Sequence, residues 1–293
     1  MEGSMYKIAI LGCENSHANA FLGLIKDGTY TDIEVVGVYS NEKEAAEKLC
    51  AEFGVSVAET PDAFVGKVDG VVITARDGRN HLPYAMPYMA SGIPMFIDKP
   101  ITSDEAEAIA LAKEAKKNGV RLTGGSSCIH CPYVKELAEK VRSGEMGEIY
   151  GGYLRAPVSM QNAYGNFFFY SAHLVQVMQT IFGYYPKSVK SFTNGKATTV
   201  VVRYENFDVS ILYVEGNYTY YASISTEKGI VGSDYPVNSS IYVYEFDEFY
   251  QLLKGNAQKK SYNDFISSVA VICAIERAIA SGNEEVINYA EEI

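Results

Sequence analysis

Met95-Phe96-Ile97-Asp98-Lys99-Pro100 is a short apolar run ending in an acid, a lysine and a proline, and a helix start follows at once. Behind it, Thr102-x-x-Glu105 reads as a capping box, with Ala106, Ile109 and Ala110 at helical spacing. A buried strand that delivers one lysine at its carboxyl end places that lysine where open α/β sheets bind ligands. A surface lysine in a strand-to-helix turn would look the same locally. The flanking chain has to decide.

Upstream, Tyr6-Lys7-Ile8-Ala9-Ile10-Leu11 reads as a strand broken by Gly12, with Ala18, Phe21, Leu22 and Ile25 following at helical spacing. Strand, glycine turn and helix start open a dinucleotide-binding βαβ unit. The full G-x-G-x-x-G is absent: after Gly12 and Cys13, Glu14 holds the second glycine position and His17 the third. The turn still offers the N–H groups of a helix N-terminus, with Asn15 and Ser16 as further donors to a phosphate. Simple helix capping by either residue fits the same letters. Ile33 to Tyr39 reads as the second strand, and Ser40-Asn41-Glu42-Lys43 follows it in place of the acid that binds ribose hydroxyls in NAD-preferring proteins. A serine removes repulsion against a 2′-phosphate and Lys43 can neutralise one, a slight lean from NAD to NADP. Asn41-x-x-Glu44 also reads as a capping box.

A short third strand is expected near Val55 to Ala58, then apolar strands at Gly70 to Thr74, at the lysine stretch and at Val120 to Thr123. Helices closed by Gly54, Gly92 and Gly119 lie among them. This alternation implies a doubly wound parallel sheet. From Tyr150 tyrosines crowd in and the strands alternate: Thr198 to Arg203, Val209 to Val214, Tyr218 to Ser225 and Ser240 to Phe246. They imply a large, mostly antiparallel open sheet with one face covered. The aromatic open face is expected to be a subunit interface, unless the chain's own helices cover it. A helix over Ser171 to Phe182 carries Leu174, Val177, Met178 and Ile181 on one stripe and His173, Gln176 and Thr180 on the next. His173 is there either a proton carrier or a satisfied core residue. The last helix runs from about Asn263 to Ser281. The expected fold class is α/β: a Rossmann domain over 5–125, then an α+β domain over 126–293 whose terminal helix can pack back on the first.

The 293 residues carry a net charge of −11, which argues against nucleic acid or an anionic membrane as the main partner. No run reaches the length of a membrane span and no signal-peptide pattern opens the chain. The five cysteines are odd in number and scattered, unlike a disulfide framework, so a cytoplasmic protein is expected. Met1-Glu2-Gly3-Ser4 reads as a cloning remnant. Cys128, His130 and Cys131 could approach a zinc ion, but no fourth ligand has suitable spacing. They are expected to line a substrate pocket, with no metal.

Taken together, these residues resemble the Gfo/Idh/MocA oxidoreductases over nearly the whole chain. Asp98-Lys99-Pro100 is similar to that family's Glu-Lys-Pro, and Ala90-Ser91-Gly92-Ile93-Pro94 to the stretch before it. Thr74-Ala75-Arg76 with His81 stands where members carry Ala-Thr-Pro and a histidine, and Gly147-Glu148-Ile149 resembles the opening of their second domain. The helix bearing His173 resembles the one that presents the catalytic histidine. Phe169 and Gln176 stand where many members have acids.

The resemblance implies an NAD(P)-dependent dehydrogenase that moves a hydride between a nicotinamide and a hydroxyl-bearing carbon of a sugar or polyol. Lys99 would polarise the substrate oxygen and His173 would exchange its proton. Residues and resemblance together nominate Gly12, Cys13, Glu14, Asn15, Ser16, His17, Ser40, Asn41, Lys43, Thr74, Ala75, Arg76, His81, Asp98 and Lys99 for the cofactor. For the substrate they nominate Lys99, Cys128, His130, Tyr170, His173 and Gln176. The alternatives are a family relative that uses bound NAD in glycoside hydrolysis and a dinucleotide-binding sensor without chemistry.

Overall fold

The structure is a computed structural model that describes residues 5–293; Met1 to Ser4, the expected cloning remnant, lie outside the described residues. The chain forms two compact units. The first takes the residues up to Gly125 together with Tyr242–Phe265 and Ile293; the second takes Ser126–Ile241 and Ile266–Glu292.

The first unit alternates β1 (Tyr6–Leu11), α1 (Ser16–Lys26), β2 (Ile33–Tyr39), α2 (Lys43–Phe53), β3 (Gly70–Ile73), α3 (His81–Ala85), β4 (Met95–Asp98), α4 (Glu105–Asn118) and β5 (Leu122–Gly125). The strands lie in the order β2-β1-β3-β4-β5, all parallel. Every residue of β3, β4 and β5 is buried, as continuous apolar runs require of a sheet covered on both faces. Strand order reverses at β1, so the carboxyl ends of β1 and β3 flank the crevice where such sheets bind ligands.

Three local expectations are corrected. The strand expected at Val55 to Ala58 shrinks to one parallel bridge, Val38 to Val57, because Ser56 is exposed and only Val55 is buried. The cap of α4 is Asp104, whose Oδ1 accepts from Ala106 N at 2.8 Å and Glu107 N at 3.0 Å; Thr102 instead donates its hydroxyl to the Asp104 carbonyl. Asn41 does not cap α2: its Oδ1 accepts from the Tyr39 hydroxyl at 2.7 Å.

The second unit holds α5 (Pro132–Arg142), β6 (Ile149–Val158), α6 (Phe167–Phe182), β7 (Ser188–Asn194), β8 (Ala197–Arg203), β9 (Asp208–Glu215), β10 (Tyr221–Thr226), β11 (Gly229–Asp234) and β12 (Glu284–Val286). Its sheet runs β11-β10-β6-β9-β8-β7-β12, antiparallel except for the β6–β9 pair. Burial alternates along β8 and β9: Val200, Val202, Val209, Ile211 and Tyr213 face inward. α6 lies on that inner face, where Phe167 meets the Tyr213 ring edge-on at 5.2 Å and Ser171 O accepts from the Tyr213 hydroxyl. The helix starts four residues before the expected Ser171.

The stretch read as a strand from Ser240 to Phe246 is instead the entrance to a helix, α7 (Tyr242–Leu253). Tyr242, Phe246, Phe249 and Leu253 also satisfy a helical stripe, and the first unit's core supplies what that stripe packs against. Phe246 lies 4.8 Å from Phe21 and 4.9 Å from Tyr30, ring to ring. Gly70 is crowded by the same helix, since a Cβ there would meet Leu253 at 2.7 Å and Phe249 at 2.8 Å. α8 (Tyr262–Ser281) ends the helical part of the chain. Among the described residues, no helix is long and apolar enough to cross a membrane.

Candidate functional site

The turn after β1 is built around Gly12. Its φ is +76°, and a Cβ would stand 2.3 Å from the backbone of Ala75, so the β1 and β3 ends close on each other only through a glycine. Thr74 ties the same ends by N–H to Leu11 O at 2.8 Å and hydroxyl to Gly12 O at 3.1 Å. His81 is buried, with its two ring nitrogens against Ala75 O at 2.8 Å and Ile101 O at 3.2 Å. Its contribution is therefore to position Ala75 rather than to touch a cofactor. Cys13 is buried, and desolvation, with Glu14 adding to it, pushes its thiol up to about 12, so it stays a neutral wall group.

Glu14 is held by long-range contacts. Its Oε2 accepts from the Ser40 hydroxyl at 2.6 Å, its Oε1 from Arg76 N at 2.9 Å, and its carbonyl from the Arg76 guanidinium. The glutamate that replaces the second glycine is thus drawn to the ends of β2 and β3. α1 has no acid in its first turn and no side-chain cap. Its first amides remain for a dinucleotide phosphate, so this turn fits the cofactor that the sequence implies. Asn41 and Lys43 are exposed beside it.

The lysine strand joins this turn directly. Asn15 turns its amide away from the helix end and donates to Asp98 Oδ2 at 2.7 Å. Asp98 Oδ1 accepts from Lys99 N at 2.7 Å. His17 lies between two acids, with Nδ1 3.3 Å from Asp98 and Nε2 3.2 Å from Glu245 of α7. All three side chains are buried. Although these acids and the imidazole are close enough to suggest a metal site, the ring offers a different nitrogen to each acid. The arrangement is a buried charge sandwich. Desolvation pulls His17 down, but Asp98 and Glu245 outweigh it and the ring is held above its ordinary value. Burial pushes Glu245 up, to about 7, against the pull of His17. The His17 side chain is thereby a clamp between the start of α1 and the end of β4, while its backbone N–H is one of the first amides of that helix. Ser16 lies within 3.4 Å of the Tyr242 hydroxyl. Lys99 itself is 5% exposed.

In the second unit His173 sits on α6, with Nδ1 2.7 Å from Ser126 Oγ and 3.4 Å from Cys128 Sγ. Sequence reasoning missed Ser126, which follows β5 and has no local signature. It takes the orienting role that Phe169 cannot: Phe169 packs on Tyr164 and Tyr170 at 5.3 and 5.4 Å. Gln176 is buried, and its Oε1 accepts from Ser126 N at 2.8 Å while its amide reaches Ser268 at 3.3 Å. It therefore holds Ser126 in place behind the histidine instead of contacting a substrate. Ser126 Oγ can accept from Nδ1–H, which leaves Nε2 to take a proton. Cys128 and His130 are buried in the 3-10 turn over Ser127–His130, and Tyr170 meets the His173 ring edge-on at 5.5 Å.

Residues 6–126 match the profile of the GFO_IDH_MocA family, described as an oxidoreductase family with an NAD-binding Rossmann fold. Glucose-6-phosphate 3-dehydrogenase of Bacillus subtilis is 26% identical over 148 residues, which is 50% of this chain and 40% of that protein. The chain thus spans less than half the length of this curated relative. Myo-inositol 2-dehydrogenase from Lactobacillus plantarum superposes with a TM-score of 0.85 at 12% identity, over 97% of this chain and 100% of that one. Scyllo-inositol dehydrogenase from Lactobacillus casei, solved with NAD(H) and scyllo-inositol, gives 0.84 at 15% identity, over 97% and 99%. At these identities the superpositions establish the fold. Over residues 6–126, the part that holds the Rossmann sheet and glycine turn described above, the chain is similar to the Gfo/Idh/MocA oxidoreductase family.

Proposed function

We propose that this protein is an NAD(H)-dependent dehydrogenase acting on a hydroxyl-bearing carbon of a sugar or polyol. The observation that carries the reading is the Asn15–Asp98 hydrogen bond of 2.7 Å, which fixes the lysine-bearing strand end to the dinucleotide turn. The nicotinamide supplies the hydride chemistry when bound. The first amides of α1 hold the pyrophosphate, and Lys99 holds the substrate oxygen and favours negative charge developing on it. His173 takes the hydroxyl proton at Nε2 while Ser126 holds Nδ1.

Glu14 bears on which cofactor is used. Ser40 and Lys43 by themselves lean to NADP(H), but the Glu14 carboxylate bonded to Ser40 returns a negative charge to the end of β2. That charge opposes a 2′-phosphate and supports NAD(H). In thermal-shift titrations the wild type is expected to respond to NAD(H) at concentrations about tenfold below those needed for NADP(H), roughly 1.4 kcal/mol. Glu14→Gln should bring the two together, and NAD reduction should follow with a panel of inositols and aldoses. A wild type with no shift from any of the four nucleotides would end the dehydrogenase reading.

We also place the protein in the cytoplasm, which its five cysteines, odd in number and scattered along the chain, support. The second sheet's outer face exposes Tyr153, Phe192 and Ile230, which supports a homo-oligomer formed through that face. Sedimentation velocity of the full chain should give a dimer or larger species, and a monomer at micromolar concentration would remove this assignment.

A further inference from the structure

A cavity of about 550 Å³ opens within the second unit, walled by Tyr170, Tyr218, Tyr220 and Tyr235 with Thr219 and Asp234 among its polar groups. Its composition differs from what a phosphorylated substrate needs. None of the described residues lining it is Lys, Arg or His, and the formal charge on its wall is that of Asp234. The guanidinium of Arg155 is turned to the Thr219 carbonyl, Nη1 to O 2.6 Å.

Two observations mark the cavity as a place for a polar ring rather than a gap. Tyr170 connects the wall to the proton carrier, its ring 5.5 Å from that of His173. Thr219 and Asp234 set a hydroxyl and a carboxylate among the tyrosine rings of the wall. Aromatic faces with a few placed polar groups and one carboxylate suit a polyhydroxylated ring: the C–H face packs on tyrosine, and hydroxyls or an amine bond to Thr219 and Asp234.

We infer that this tyrosine-walled cavity is the substrate-recognition site and that it takes an uncharged or amine-bearing sugar or polyol and rejects sugar phosphates. The inference rests on the dehydrogenase reading and narrows its substrate class. It sets this chain apart from the relative named for glucose 6-phosphate.

The test is calorimetric binding of glucose, glucosamine and glucose 6-phosphate to the full chain saturated with NAD, with Asp234→Lys and Tyr218→Ala beside the wild type. Repulsion between Asp234 and a phosphate of nearly two charges is expected to make glucose 6-phosphate the weakest of the three by about tenfold or more. Asp234→Lys should erase that preference, and Tyr218→Ala, at a 72% exposed position that the fold does not need, should weaken all three. Glucose 6-phosphate binding as well as the others to the wild type would overturn the inference. So would unchanged ratios in Asp234→Lys, or no binding of any of the three. NAD reduction by any polyol, measured separately, would leave the dehydrogenase reading intact in each of those cases.

Discussion

Lys99→Met is expected to lower kcat/KM for polyol oxidation by about 10²- to 10³-fold, with the thermal midpoint within a few degrees of wild type. Lys99 is 5% exposed, so its alkyl stem is already packed and methionine keeps most of that volume. What disappears is the ammonium at the end of β4, which in the proposed mechanism favours the alkoxide over the alcohol. Removing one such electrostatic stabiliser costs about 3–4 kcal/mol in the transition state. Asp98 bonds to the backbone N–H of Lys99, a contact that the substitution leaves in place, so the strand end keeps its shape in the variant. Steady-state rates with the best polyol, set beside melting curves, separate lost chemistry from lost fold. Turnover within a few-fold of wild type would remove Lys99 from the mechanism.

His17→Leu is expected to destabilise the protein by about 3–5 kcal/mol at neutral pH, because it strands two buried carboxylates without their shared cation. Adding Glu245→Leu should recover much of that loss, since apolar groups of similar size replace buried ion pairs at little net cost. The pH dependence has a definite sign. Both His17 and Glu245 bind a proton more tightly in the folded chain than in the unfolded one. Stability from His17 is therefore complete below its ordinary value of 6.5 and is lost as pH rises through the elevated folded value. Glu245, raised from 4.5 to about 7, pulls in the same direction over that lower window. Urea midpoints should fall for the wild type on raising pH from 6 toward 9, and stay nearly flat in the double variant. A flat wild-type profile would refute the charge sandwich.

The elements that could be read from sequence were those set by local rules. β1, β3 and β4 are apolar runs with glycine, proline or a charged residue at their ends, and Gly12 and Lys99 sit at those ends. α7 was not legible, because Tyr242, Tyr244 and Phe246 alternate as strand residues do while Tyr242, Phe246 and Phe249 also fit a helix. Only the packing partners Phe21 and Tyr30, far away in sequence, decide between the periods. The same limit hid Ser126 behind His173, Glu14 on Ser40 and Glu245 on His17. Each is a pairing across tens to hundreds of positions, and no spacing rule announces it.

The return of α7 to the first unit has a consequence for how the protein is made. The Rossmann core closes only with Phe246, Phe249 and Leu253, which the ribosome delivers after 116 residues of the second unit, Ser126 to Ile241, have emerged. A nascent chain released at Gly125 would carry an uncovered apolar flank at Phe21 and Gly70, and a gene trimmed there would encode an aggregating fragment rather than a portable nucleotide-binding module. The smallest excisable version joins Gly125 to Tyr242 by a short linker, as in the repair of an interrupted reading of one domain by another.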